Sequence, residues 1–163
     1  MADSGQSAQA LADLEQFRYA MVELLRGASR EVDIFSAQLA HALYHDAGVT
    51  EALSDFARSS RVARVRLLVR DTEPMVRRFH RVAALFQRLS SRIELRRIEA
   101  TVDTPDWEFA IADGRQLVVC DDRRQWCGLF ERANPARARQ LGDAFEREWP
   151  LAAADPNLRR LQL

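Results

Sequence analysis

The chain has 163 residues, 24 arginines plus lysines balanced by 24 acids, and 47% hydrophobic residues, the composition of one globular domain. All 24 basic residues are arginine, and a chain without lysine has no Walker phosphate loop, no Schiff base with pyridoxal phosphate and no kinase-type strand lysine. No run of about 18 apolar residues marks a membrane span, and the small polar start lacks a signal-peptide pattern.

These features predict a cytoplasmic protein with no membrane partner and with Cys120 and Cys127 as free thiols. A domain of this size buries about two-thirds of its unfolded surface and needs neither a disulfide nor a structural metal to fold. Residues 1–9 are expected to be a flexible N-terminus, with a single domain over 10–163. Leu11, Leu14, Phe17, Met21, Leu24 and Leu25 recur at helical spacing and predict an amphipathic helix that Gly27 ends. Glu31–Ser36 reads as a buried strand, and a second helix follows at about 49–59.

Residues 62–69, rich in branched apolar side chains, have the profile of a central parallel strand that ends at Arg70 and Asp71. Thr72 is placed to cap the next helix, which carries Pro74 in its first turn and a stripe of Met75, Phe79, Val82, Phe86 and Leu89. Arg77, Arg81 and Arg88 share another face of it. Ile93, Leu95 and Ile98 begin a further strand. Residues 107–112, a turn at Asp113 and Gly114, and residues 116–120 predict a hairpin, and 126–130 an edge strand. Pro135 opens a last helix whose Ala138, Leu141, Phe145 and Trp149 face inward. Helices alternating with strands and then a hairpin argue for an α/β sandwich, a mixed β-sheet flanked by helices.

Charge is polarised along the chain. Residues 61–97 hold eleven arginines against three acids, a balance of +8, and 98–149 hold seven arginines against eleven acids, a balance of −4. If the arginines converge they attract phosphate or an acidic protein face; otherwise they are solvated and pair with acids of the other half. A neutral domain lacks the basic signature of a dedicated nucleic-acid binder, so nucleic acid is not the favoured partner.

Among candidate reactive groups, His41 and His45 stand four apart, but no glutamate lies between them and no third ligand is evident, so no metal is expected there. Cys120 and Cys127 are too widely spaced for a CxxC pair. His80 reads as a core-edge histidine bonded to backbone. Asp103, Asp106, Glu108 and Asp113 crowd one loop and strand, where carboxylates either do acid and base work or simply partner arginines. Arg70 and Asp71 follow a central strand, where open α/β sheets usually hold their ligands.

The order of a strand IFS, a helix, the strand VRLLVRD and then HRVAALFQRLSSRIELRR resembles the phospholipase D-like fold. It is more closely similar to a family of uncharacterised bacterial domains of that type. In those relatives an IFS-like strand precedes an LxxxLY stretch, here residues 39–44, and the chain ends in DPxLRxLxL, here 155–163. Some carry the domain behind an N-acetyltransferase, which implies an accessory role.

Catalytic members of the phospholipase D-like group carry HxKxxxxD, in which histidine attacks phosphorus, lysine neutralises phosphate oxygens and aspartate orients the site. On that pattern the resemblance sets Asp106 at the histidine, Glu108 at the lysine and Asp113 at the aspartate. It therefore implies a degenerate, non-catalytic domain without cofactor that binds an anionic ligand or a protein partner. Arg70, Asp71, Arg77, Arg81, Arg88, Arg96 and Arg97 are its expected contacts. The alternatives are a metal-dependent phosphodiesterase in which Asp106, Glu108 and Asp113 hold a divalent cation, and a structural subunit that pairs as a homodimer.

Overall fold

The computed structural model describes residues 8–160. Seven strands form one sheet in the order β1-β7-β6-β5-β2-β3-β4. They are β1 (Ala8–Leu11), β2 (Glu31–Ser36), β3 (Arg64–Val69), β4 (Ile93–Arg97), β5 (Phe109–Ala112), β6 (Gln116–Asp122) and β7 (Cys127–Glu131). β2, β3 and β4 run parallel, and the other pairings are antiparallel. The helices are α1 (Leu14–Gly27), α2 (His41–Tyr44), α3 (Ala47–Ala57), α4 (Glu73–Arg77), α5 (Arg81–Arg88), α6 (Pro135–Glu148) and α7 (Pro156–Arg160). A short 3-10 turn, Trp149–Leu151, follows α6.

The mixed sandwich expected from the alternating pattern is present. α1 starts where the Asp13 carboxylate accepts from the Gln16 N–H at 2.9 Å, and it buries Phe17, Ala20, Met21, Leu24 and Leu25. That face joins Val32, Ile34, Leu53 and Leu67 in the larger core. On the other side of the sheet Phe35, Leu68, Ile111 and Leu117 meet Ala138, Phe145 and Trp149 of α6 and the turn after it. Alternate residues of β2 and β3 thus serve two cores, which is why both strands read as continuous apolar runs.

Three elements differ from the sequence pattern. Residues 8–11 are not a frayed start or a helix onset: they form β1, antiparallel to β7, so β7 lies inside the sheet and β1 takes the edge. Residues 1–7 lie outside the described residues, as do 161–163 of the final motif. The long helix predicted after Thr72 is two helices, because Arg78 and His80 are extended and the His80 ring Nδ1 accepts from the Val82 N–H at 3.1 Å, starting α5 afresh. The break consumes about one helical turn, so Met75 and Val82 still face the core while Phe79 is 70% exposed. Thr72 makes no capping bond; its hydroxyl donates to the Asp155 carboxylate instead.

Gly128 sits where a Cβ would lie 1.9 Å from the Val119 carbonyl oxygen, so only glycine lets β7 approach β6 there. Among the described residues no helix is long and apolar enough to cross a membrane.

Candidate functional site

β2 and β3 end side by side at Ser36 and Val69, and β5 runs against β2, so its approach through Glu108 arrives at the same end of the sheet. This is the crevice beyond the carboxyl ends of parallel strands where α/β sheets carry ligands. The loop after β2 holds Leu39 at φ 49°, a conformation costly for a bulky side chain. It is fixed there by the Leu39 N–H donating to the Ser36 hydroxyl oxygen at 2.9 Å and by its carbonyl, 2.7 Å from His80 Nε2.

Glu108 is 5% exposed and turned inward. Its carboxylate accepts from the Ala37 N–H at 3.2 Å and from the Tyr44 hydroxyl at 3.4 Å. Burial pushes its carboxyl above the usual range, against the lowering effect of the Ser36 and Ala37 bonds and of Arg123. Burial, with Glu108 beside it, likewise holds Tyr44 well above the ordinary phenol value, and burial raises the half-buried Cys120 thiol to about 11. Neither group ionises near neutral pH.

Arg123, beyond β6, closes the cluster. It donates to both oxygens of Asp106 at 2.9 Å and stands 3.7 Å from Glu108, while Arg70 stands 3.9 Å from Asp106. Arg70 also donates to the Thr104 and Pro105 carbonyls at 2.8 Å. The acids of this cluster therefore meet arginines from just beyond β3 and from the β6–β7 turn, not from the helix after Thr72. The sequence reading did not single out Arg123. Counting outward from the Asp113–Gly114 turn signals it, because the hairpin sets Glu108 opposite Cys120 and brings Arg123 beside Asp106.

Asp113 lies at the far end of β5, about 16 Å of strand from Glu108. At φ 55° in the turn, it accepts from the Ser29, Arg30 and Glu31 N–H groups at 2.7–3.0 Å and ties the loop before β2. Asp106, Glu108 and Asp113 thus do not converge, as a shared divalent cation would require, because an extended strand separates them. Asp103 is exposed in the loop before β5.

Beside the acid–arginine cluster the three histidines gather from α2 and the α4–α5 break. Ring centroids of His41 and His80 are 4.5 Å apart, His41 and His45 5.4 Å, and His45 and His80 5.7 Å. His45 and His41 are half-buried. His80 has the backbone-bonded role expected of it, with both nitrogens engaged. His45 Nδ1 accepts from the Arg81 N–H at 3.0 Å, and the Arg81 guanidinium donates to the His45 carbonyl. Burial and the neighbouring arginines depress His45, and burial brings His80 down to about 4. Among the described residues His41 Nε2 is buried without a hydrogen-bond partner. His41 borders a cavity of about 320 Å³ with Asp71, Glu73, Pro74, Arg77 and Arg78.

The other predicted arginines are dispersed. Arg77 pairs with Glu73 on α4, and Arg88 is exposed on α5. Arg96 pairs with Glu94 and lies 4.2 Å over the Trp149 ring on the opposite face of the sheet, and Arg97 meets Asp155 and Glu99. Asp71 accepts from the Gln38 side chain at 3.3 Å. Helix handedness and strand register, which charge counting ignores, send these side chains apart. A second cavity, of about 400 Å³ under α6, is lined by Asp33, Asp113, Asp143 and Glu146 and offers phosphate an unfavourable field.

A family model matches residues 13–161. The chain belongs to that family, described as "Domain of unknown function (DUF7931)". No curated protein matches it in sequence. Among solved structures, the DUF7931 domain is similar to Nuc of Salmonella typhimurium, a phospholipase D family member, with a TM-score of 0.67 and 13% identity over 90% of this chain and 96% of that one. It is similar to NucT of Helicobacter pylori, with a TM-score of 0.62 and 8% identity over 91% of this chain and 98% of that one. It also matches TrmBL2, an archaeal chromatin protein described as showing a novel mode of DNA binding, with a TM-score of 0.66 and 12% identity. That match covers 90% of the chain but spans about half of TrmBL2, 52% of its length. The fold is phospholipase D-like, as the order of elements implied.

Proposed function

We propose that this DUF7931 domain is a degenerate phospholipase D-like module that binds an anionic ligand and does not hydrolyse it. The observation that carries this reading is Glu108, buried at the position the resemblance assigns to the phosphate-neutralising lysine, already bonded to Ala37 and Tyr44 and 3.7 Å from Arg123. A carboxylate there repels a phosphodiester instead of holding it. Asp106, at the position of the attacking imidazole, is clamped by Arg123. Of the histidines, His80 is engaged on both nitrogens and His45 accepts from Arg81, and the His41 Nε2 is buried away from solvent.

The cavity beside His41 holds two acids and two arginines, with Arg77 paired to Glu73 and Asp71 accepting from Gln38. Among the described residues Arg78 has no acid partner, and with Arg77 it lines the cavity beside His41. A guanidinium there suits phosphate or carboxylate. Titration with inorganic pyrophosphate at low and moderate salt is expected to show salt-sensitive binding, weakened about tenfold in Arg78→Ala. No hydrolysis of a generic phosphodiester is expected with or without magnesium or manganese. Hydrolysis that needs added metal and vanishes in Glu108→Ala would establish the metal-dependent phosphodiesterase instead.

A further inference from the structure

We propose that the notch between α4 and α5 docks a helix of a partner protein, its apolar side chains seated around Phe79 and its acidic side chains against Arg81 and Arg88. This inference stands apart from the anion-binding reading, because none of the residues lining the notch lines the cavity beside His41.

The break leaves a cavity of about 290 Å³ against the two helices, lined by Met75, Val76, Phe79, Ala83, Ala84 and Gln87. Phe79 is 70% exposed, and a bare phenylalanine beside an apolar hollow is a contact that lacks its other half. It is not a loose side chain. His80 bonds Leu39 on one side and Val82 on the other, which fixes the break that turns Phe79 outward. The Phe79 ring also meets the His45 ring edge to face, centroids 5.7 Å apart at 88°. A side chain held before binding loses little freedom when a partner covers it.

The α5 side of the hollow is built from short side chains, Ala83 and Ala84, so a second helix can approach to the usual packing distance of about 8–10 Å. Charge names the kind of helix. Arg81 stands three residues before Ala84 and Arg88 four after it, so both lie on the exposed stripe of α5 that Ala84 belongs to. Residues 73–88 hold four arginines and one acid, Glu73, and that acid is paired with Arg77. Among the described residues neither Arg81 nor Arg88 meets an acid, and Arg81 is held by the His45 carbonyl. Acidic side chains flanking the apolar stripe of an incoming helix complement this rim. A bilayer asks instead for apolar residues that protrude together. Here only Phe79 protrudes, while Met75 and Ala83 are buried and Val76 and Ala84 half-buried in the hollow.

The test sorts a displayed library of randomised helical peptides, about four turns long, for binding to the full chain and against binding to Phe79→Ala. Enriched peptides are expected to carry apolar residues at i, i+3 or i+4 and i+7 with aspartate or glutamate beside them. Synthesised and labelled, they should bind the parent about tenfold more tightly than Phe79→Ala or Arg88→Glu, with Arg88→Lys keeping most of the affinity. Ala84→Trp, which fills the hollow instead of stripping its rim, should block them as well. Thermal unfolding of each variant checks that it is folded. Binding of inorganic pyrophosphate should be the same in all four variants, so the anion site and the docking site succeed or fail separately. No enrichment, or enriched peptides that are basic or without charge bias, overturns the proposal. So does Phe79-dependent binding to vesicles of anionic phospholipid in place of peptides, or a Phe79-dependent dimer in sedimentation, which would give the surface to a membrane or to a second copy of the chain.

Discussion

Replacing Arg66 by methionine is expected to destabilise the domain by about 3–5 kcal/mol, because it strands a carboxylate in the smaller core. Arg66 is 7% and Asp33 5% exposed, and they face each other across β2 and β3, bonded at 2.8 and 3.0 Å. Glu146 of α6 pairs with the same guanidinium, which lies 4.8 Å from the Phe145 ring centroid. Burial alone would lower Arg66, but its bonds to Asp33 and Glu146 outweigh that and keep it charged. Burial already raises Asp33 against the pull of Arg66, so removing the arginine leaves only the cost of desolvation. Substituting both, Asp33→Leu with Arg66→Met, should recover most of the loss, since no buried charge is then left unpaired. Denaturant unfolding of the two single variants and the double variant measures this. A loss below about 1 kcal/mol in Arg66→Met would mean that water reaches Asp33.

Acidification is expected to remove about 3 kcal/mol of stability through His80 alone. The ring is 1% exposed, and burial sets its folded pKa at about 4, below the ordinary imidazole value of 6.5. His41, His45 and Arg78 all face it and add to the lowering, while the Leu39 carbonyl opposes it. The unfolded chain therefore takes up the proton first. The contribution is complete above about pH 6.5 and drains away as pH falls towards 4, below which both states are protonated. Protonation also costs the α5 cap, because Nδ1 can no longer accept from Val82.

Asp33 and Glu108, raised by burial, act in the opposite sense, since acid relieves the cost of their buried charge. The informative measurement is accordingly a difference. His80→Asn can keep the cap but does not titrate, and its stability deficit relative to the parent should shrink between pH 6.5 and 4. Parallel stability curves across that range would show that His80 is not the group responsible.

The parallel strands β2, β3 and β4 and the hairpin of β5 and β6 were legible because buried strands and tight turns carry their signal locally, in branched apolar runs and in Asp113–Gly114. β1 was not, because AQAL has no strand signature of its own; it becomes a strand only by pairing with β7, some 120 residues later in the chain. The α4–α5 break escaped for the same reason. Its cause is a bond from His80 to the carbonyl of Leu39, 41 positions upstream, while the apolar period runs on through the gap. At the candidate site the pair Asp106 and Glu108 could be read from motif spacing, whereas Arg123 could be reached only through the register of a hairpin.

The amino-acid sequence by itself settled which chemical groups exist: arginine without lysine, three histidines, and acids at the spacing where the resemblance expects imidazole and ammonium. Composition and local periodicity suffice for that, because they are properties of neighbouring residues. The tertiary structure decided which of these groups meet. It buried Glu108 against Tyr44 and Arg123, sent Asp113 to the far end of β5, scattered Arg96 and Arg97 away from the crevice, and turned Phe79 outward beside Arg78. Burial and ion pairing depend on distances across the sheet, and those distances are set by strand order and register.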